Sequence, residues 1–223
     1  MLMIEGLLDR SRLAELNQLL GQMRFAPGHE TGGTGGQLVK NNLQPDPQDP
    51  NYPRAAGLVL QAINASAQMH AYTMASKLTP IVFGRYGPGM TYGDHVDAAV
   101  HSLPNMIVRT DISFTIFLSG PDEYDGGELT INIEGAEMTV KGKAGDAFIY
   151  PTGVMHRVNP VTQGWRAVAV GWIQSLVPSH EHREILYKLG IVRERILRSG
   201  GYSEEFALMN SAYENLLRLC VRP

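Results

Sequence analysis

Hydrophobic and polar positions divide the chain into a helical opening, a long polar stretch, a block of short alternating runs and a helical tail. Leu13, Leu16, Leu20 and Met23 recur at helical spacing behind Asp9 and Ser11, either of which can cap a first turn. The spacing predicts a short amphipathic helix packed on the core. Residues 26–53, running through GHETGGTGGQ and QPDPQDPNYP, have almost no apolar periodicity and read as one long loop, a candidate lid over an active site. No Gly-Lys-Ser/Thr follows its glycines, which argues against a phosphate cradle. Residues 54–77 are rich in Ala, Leu, Gln and Met and free of proline, which favours a second helix.

From about residue 80 to 177 the runs shorten and alternate between Gly, Pro and Asp breaks, the pattern of a β sandwich or barrel. In TDISFTIFLSG, Ile112, Phe114, Ile116 and Leu118 share one face, and Ser113, Thr115 and Phe117 the other. Leu129, Ile131 and Ile133 alternate with polar residues, turn at Glu134-Gly135 and resume at Met138 and Val140, which reads as a hairpin. KAGDAFIYP and WRAVAVGWIQ supply two further strands. After Pro178 helical spacing returns in two runs separated by Gly200-Gly201. The fold class expected is α+β with a mainly β core.

Composition narrows the function. The formal net charge of −3 offers no basic field for nucleic acid or anionic membrane. No apolar run approaches the length needed to cross a bilayer, and the start MLMIEGLLDR lacks the basic residues and long apolar run of a signal peptide. The single cysteine, Cys220, excludes an intrachain disulfide and a cysteine-based metal cluster, and fits a reducing, cytoplasmic setting.

His95-Val96-Asp97 places two ligand-capable side chains at i and i+2, which on a strand project from one face. Alone the triplet says little, because histidine and aspartate fall two apart by chance often enough. His156, just after the AFIYP strand, supplies a second imidazole, and strands distant in sequence lie side by side in a barrel. Two imidazoles and one carboxylate leave the opposite face of a metal open, as oxygen-activating iron(II) requires and closed structural zinc does not.

Arg166 begins a run in which Arg166, Val168, Val170 and Trp172 point one way. An arginine lining a barrel interior is costly unless it meets an anion, and a dicarboxylate cosubstrate offers a bidentate partner. Charges then balance: iron(II) with one aspartate leaves +1, a dianionic keto acid makes −1, and Arg166 restores zero. Tyr86, Tyr92 and Thr115 are candidates to line the cosubstrate pocket. His101 reads as a loop histidine. Arg109 and Asp111 share a face and read as a structural pair. His29, His70, His180 and His182 read as surface or helix residues. The alternatives are a cupin-like module that binds metal without turnover, and a zinc hydrolase built on His95, Asp97 and His156.

The run from YGDHVD through RTDISFTIFLSGPDEYDGGEL, the segment KAGDAFIYPTGVMHRVNPVTQGWR and the following VGWIQS resemble the PKHD-type hydroxylases. These are bacterial relatives of prolyl 4-hydroxylases in the iron(II)/2-oxoglutarate oxygenase superfamily. The likeness spans about residues 80–177, and the tail ending YENLLRL is similar too. It implies a double-stranded β-helix (jelly roll), Fe(2+) on His95, Asp97 and His156, and the distal carboxylate of 2-oxoglutarate on Arg166. It also implies O2 as co-reactant, L-ascorbate as a candidate reductant, and a small-molecule or peptidyl substrate. Many prolyl hydroxylases use lysine where this chain has Arg166, a departure that weakens transfer of the prolyl substrate. The expected organisation is helices and a Gly/Pro-rich loop over 1–78, a dioxygenase domain over 79–177 and a helical extension over 178–223. The amphipathic tail offers a surface for a homodimer.

Overall fold

The computed structural model describes residues 1–31, 36–104 and 106–222. A short strand, β1 (Leu2–Ile4), precedes the predicted helix α1 (Arg10–Gln22). Asp9 caps α1 by accepting from the Arg12 amide, and Leu16, Leu19 and Leu20 form its buried face.

The stretch read as a single loop is built into the sheets instead. It carries β2 (Phe25–Pro27), a turn of helix α2 (Gly36–Val39), β3 (Lys40–Asn41) and β4 (Leu43–Pro45). Strands of two or three residues are too short to show periodicity, and backbone pairing holds them in place. Gly32, Gly33 and Gly35, on which the phosphate-cradle question turned, lie outside the described residues.

The single helix expected over 54–77 is two, α3 (Tyr52–Ala65) and α4 (Ala67–Thr73). Ser66, in extended conformation between them, caps α4 by accepting from the Met69 amide. Met74 takes a left-handed conformation, φ 45°, and the chain turns into β5 (Ala75–Leu78).

The β-rich block opens with β6 (Val82–Tyr86) and β7 (Thr91–His95), then the hairpin β8 (Val100–Leu103) and β9 (Met106–Arg109). It continues through β10 (Ile112–Phe117), β11 (Tyr124–Gly126), β12 (Leu129–Ile133) and β13 (Ala136–Val140). Glu134 and Gly135 have φ of 52° and 91°, the left-handed pair that closes a two-residue hairpin, so the predicted turn is in place. Then follow β14 (Ala147–Pro151), β15 (Met155–Val158), β16 (Val161–Gly164) and the long β17 (Arg166–Ser175). Helices α5 (His180–Gly200) and α6 (Glu204–Cys220) finish the chain, broken where the two glycines predicted.

One sheet runs β1-β14-β10-β17-β6-β4-β2, with β5 also on β17; the facing sheet runs β13-β12-β15-β7-β3. Together they form a double-stranded β-helix, with every described pairing between them antiparallel. The outer face of the larger sheet buries Phe83, Phe114, Ile116 and Ile173 against Leu16, Leu20, Val59 and Met69 of the helices. This burial, rather than hydrogen bonding, is the main drive for docking the N-terminal helices. The inner faces of the two sheets enclose a cavity of about 680 Å³. β3 and β4 close one side, through Lys40 opposite Tyr92 on β7 and Leu43 opposite Arg85 on β6.

Strand β17 therefore has a cavity face, Arg166, Val168, Val170 and Trp172, and a core face that includes Gly171. Gly171 lies opposite Phe114 on β10, and a Cβ there would come within 2.5 Å of Cζ of that ring. Gly171→Ala is expected to destabilise the fold by roughly 1–3 kcal/mol, read as a lower urea midpoint, with partial recovery in the Phe114→Leu background. A midpoint equal to the wild type's would mean that the ring has room to move aside.

Candidate active site

The register of the smaller sheet makes the site. His95, the last residue of β7, pairs directly with His156 on β15, which brings the two rings to 4.2 Å between centroids. Asp97, two residues past the strand end, places Oδ1 3.6 Å from His95 Nε2 and Oδ2 3.7 Å from His156 Nε2. One ligand-capable atom from each of the three residues lies within 4.8 Å of the others.

Each imidazole is clamped through its other nitrogen. His95 Nδ1 lies 2.8 Å from the Gly93 carbonyl and His156 Nδ1 3.0 Å from the Val154 carbonyl. A carbonyl only accepts, so both Nδ1 atoms carry the proton and both Nε2 lone pairs face the carboxylate. Burial, reinforced by His156, pushes the His95 imidazole down to about 4, so it stays neutral at ordinary pH. Two imidazole lone pairs and a carboxylate oxygen thus converge with no proton between them. That is a donor set suited to a divalent cation, and its two nitrogens and one oxygen suit iron(II).

Asp97 is held from behind. Its Oδ2 accepts from Trp172 Nε1 at 2.7 Å and from Ser113 Oγ at 2.9 Å, and Ser113 in turn meets Thr152 Oγ1 at 3.0 Å. Neither Trp172 nor Ser113 was singled out from the sequence, although the alternation of β17 and β10 puts both on the cavity side. His101 corrects its reading as a loop histidine. It lies on β8, lines the cavity and stacks on Trp172 with ring centroids 4.6 Å apart. A lone histidine on β8, with its stacking partner on β17, carries no local signal of that contact.

Arg166 opens β17 directly opposite Tyr86 on β6, with its guanidinium 5.0 Å from that ring. It is 1% exposed, and its Nε and Nη1 have no hydrogen-bond partner. A buried guanidinium with idle donors is strongly unfavourable on its own, so the cavity is shaped for an anion at that point. The phenol of Tyr124 is buried beside Arg166; burial raises it, and the charge and hydrogen bond of Arg166 pull the other way.

The other expected pocket residues line the same cavity. Tyr92 stacks on His95 at 3.6 Å with the rings 12° apart, and burial holds its phenol well above the usual range. Burial likewise raises Tyr86, with Arg166 pulling the other way. Thr115 hydrogen-bonds Tyr150, a buried phenol that the sequence reading did not pick out. Elsewhere Arg109 grips Asp111 through Nε at 2.7 Å and Nη2 at 3.0 Å, as expected. His29, His70 and His182 are exposed and His180 half-buried, all away from the cavity lining.

The His95 environment sets a pH dependence. In the metal-free fold its imidazole titrates at about 4, below the ordinary 6.5, so the unfolded chain takes up a proton that the fold refuses. Stability from this group is complete above pH 6.5 and is lost as pH falls toward 4. Urea midpoints of the metal-free protein between pH 7.5 and 4.5 should therefore fall more steeply than those of His95→Gln. Parallel slopes would refute the buried neutral imidazole.

A family model described as the 2OG-Fe(II) oxygenase superfamily matches residues 81–174. A PKHD-type hydroxylase of Verminephrobacter eiseniae is 40% identical over 222 residues, 98% of each chain. Another, from Rippkaea orientalis, is 39% identical over 208 residues, 92% of this chain and 93% of its own. Among solved structures, a Pseudomonas putida prolyl-4-hydroxylase shares the fold, with a TM-score of 0.53 at 20% identity over 78% of this chain and 91% of its own. Identity at this level over nearly the whole length, on this fold, makes the chain a member of the PKHD-type hydroxylases, iron(II)- and 2-oxoglutarate-dependent enzymes of the 2OG-Fe(II) oxygenase superfamily.

Proposed function

We propose that His95 Nε2, Asp97 and His156 Nε2 hold the iron, and that Arg166 binds the distal carboxylate of 2-oxoglutarate. The reaction would hydroxylate a small-molecule or peptidyl substrate with O2 while 2-oxoglutarate is decarboxylated to succinate. The observation that carries this reading is a buried guanidinium with two idle donors. Arg166 is fully buried with Nε and Nη1 idle, in the same cavity as a three-residue cation site. A zinc hydrolase would account for the three ligands but leaves Arg166 without a task.

Bound iron supplies oxygen activation and 2-oxoglutarate the electrons, which is the hard chemistry. The protein's own groups position and enclose. The Nδ1 clamps fix which nitrogen of each histidine is offered, and Trp172 and Ser113 hold Asp97 Oδ2 so that the carboxylate cannot turn away. Arg166, backed by Tyr86, fixes one end of the cosubstrate by a bidentate contact. Val158, Val168 and Val170 line the space between and keep water from the reacting centre. L-Ascorbate, as a reductant, would act on the same iron. The name of the Pseudomonas relative in fold, prolyl-4-hydroxylase, suggests prolyl peptides among the substrates to try.

Under anaerobic conditions, protein with iron(II) and 2-oxoglutarate should develop a metal-to-ligand charge-transfer absorption. The band should vanish in His95→Ala, and in Arg166→Ala it should require much higher 2-oxoglutarate. Absence of the band in iron-loaded wild type would overturn the assignment. Removing the indole donor in Trp172→Phe should weaken iron(II) binding roughly tenfold or more by competition titration. An unchanged affinity would mean that Ser113 alone orients the carboxylate.

A further inference from the structure

Trp172 holds the carboxylate of the metal site by a single atom. Its Nε1 donates to Asp97 Oδ2 at 2.7 Å, yet the indole itself is only half-buried. The backbone beneath it is well fixed. Trp172 lies opposite Ser113 on β10, donates its amide to Thr79 Oγ1 and accepts from the Thr79 amide, both at 3.0 Å. Two side-chain torsions still separate that backbone from the ring, and one hydrogen bond at the ring edge does not set both. Something must bear on the face of the indole.

His101 does so. The two rings stack with 4.6 Å between centroids and 28° between planes. His101 lies directly opposite Val108 in the β8–β9 hairpin, and Val108 is fully buried. Residues opposite one another on paired strands share a face, so His101 belongs to the inward face of the hairpin. The hairpin is anchored at its base, where Thr110 donates to the Ala98 carbonyl through its hydroxyl and to the Ala99 carbonyl through its amide, and where the Arg109 amide donates to Gln174 Oε1 at 3.1 Å. Ala98 and Ala99 directly follow Asp97. The chain thus leaves the metal-site carboxylate, enters the hairpin, comes back as the His101 ring and closes on the same carboxylate through the indole. An imidazole carries its lone pairs in the ring plane, so stacking uses the aromatic face and leaves the nitrogens out of the contact. Among the described residues His101 is not part of the group of ligand atoms that converge on a cation.

Resting on the iron reading above, we propose that His101 is a positioning residue of the metal centre. Its ring confines the Trp172 indole so that Nε1 stays on Asp97 Oδ2, and it thereby couples the β8–β9 hairpin to the orientation of the ligand carboxylate. Loosening this stack leaves all three ligands in place and withdraws one of the two donors that restrain Asp97.

The test begins with the metal-free full chain, isotope-labelled for nitrogen NMR. Its two tryptophans give two indole N–H signals, and Trp172→Phe identifies which belongs to Trp172. An indole proton held on a carboxylate exchanges slowly with solvent; in His101→Ala its exchange should quicken roughly three- to tenfold, the range that one aromatic pair sustains. His101→Gln, which keeps size and polarity without a ring, should behave as His101→Ala. His101→Phe restores a ring face without a nitrogen and should return to within about twofold of wild type. Iron(II) affinity, read anaerobically by competition titration, should follow the same order. In the Trp172→Phe background, His101→Ala should weaken iron(II) binding by less than about twofold more, because the path from the hairpin is already cut. Unchanged indole exchange in both His101→Ala and His101→Gln would overturn the proposal. So would a loss of iron(II) affinity that persists in His101→Phe, which would make an imidazole nitrogen the working atom, or one that adds in full to the effect of Trp172→Phe. Failure of the wild type to bind iron(II) would overturn the site reading instead, and indole exchange in the metal-free protein would still decide whether His101 holds the ring.

Discussion

Two imidazole lone pairs and a carboxylate are directed at one another across less than 5 Å in the interior of this fold. Such an arrangement is repulsive until a cation enters, and the protein must hold it open against relaxation. It does so with groups that cost little to place. Each histidine is turned by a backbone carbonyl two residues before it in its own sequence, so the strand that delivers the ligand also sets its tautomer. The carboxylate is restrained by an indole and a hydroxyl from the opposite sheet. The centre therefore draws on both layers of the double-stranded β-helix and depends on their spacing.

A second unfavourable placement mirrors the first. Arg166 is a permanent cation at 1% exposure, with two donors, Nε and Nη1, that no described group fills. Acceptors without a cation and a cation without acceptors, lodged in one cavity, are each a cost to the empty fold. On the proposed assignment of the site, both costs would be relieved when a metal and a dianion bind. Binding should therefore stabilise the protein, with the extent set by ligand concentration relative to its dissociation constant. The stability that tolerates these defects comes from elsewhere, chiefly the apolar contact between the outer face of the large sheet and α1, α3 and α4. Core and site divide β10 and β17 between them, one on each face.

The segment around residues 40–45 adds a wall to this cavity by pairing with a strand of each sheet. Because it is hydrogen-bonded on both sides, it contributes side chains at fixed positions. Lys40 sets its Nζ over the Tyr92 ring that stacks on His95, while Asn42 reaches the Tyr86 hydroxyl beside Arg166. The hairpin of β8 and β9 leans on the cavity through the His101–Trp172 stack, and Val100, Met106 and Ile107 of the hairpin are exposed.

The amino-acid sequence determined what depends on local period and on chemistry that few settings permit. Alternation placed Arg166, Val168, Val170 and Trp172 on one face, and Ser113 and Thr115 on another, because side chains on a strand alternate whatever the strand pairs with. Asp9, Gly135 and the Gly200-Gly201 break marked a cap, a turn and a helix end through backbone conformations that only their immediate neighbours influence. The metal and cosubstrate candidates were legible because a buried arginine and a His-x-Asp with a distant histidine have few other uses. Tertiary structure alone decided the rest. Strands of two or three residues at β2, β3 and β4 have no period to read, and Ser66 divides two helices by a cap that helix propensity does not weigh. The register that sets His95 against His156, the reach of Trp172 to Asp97, the stack of His101 and the place of Lys40 in the cavity wall all join residues far apart in the chain. No local pattern encodes such contacts, because they exist only once the two sheets have closed on each other.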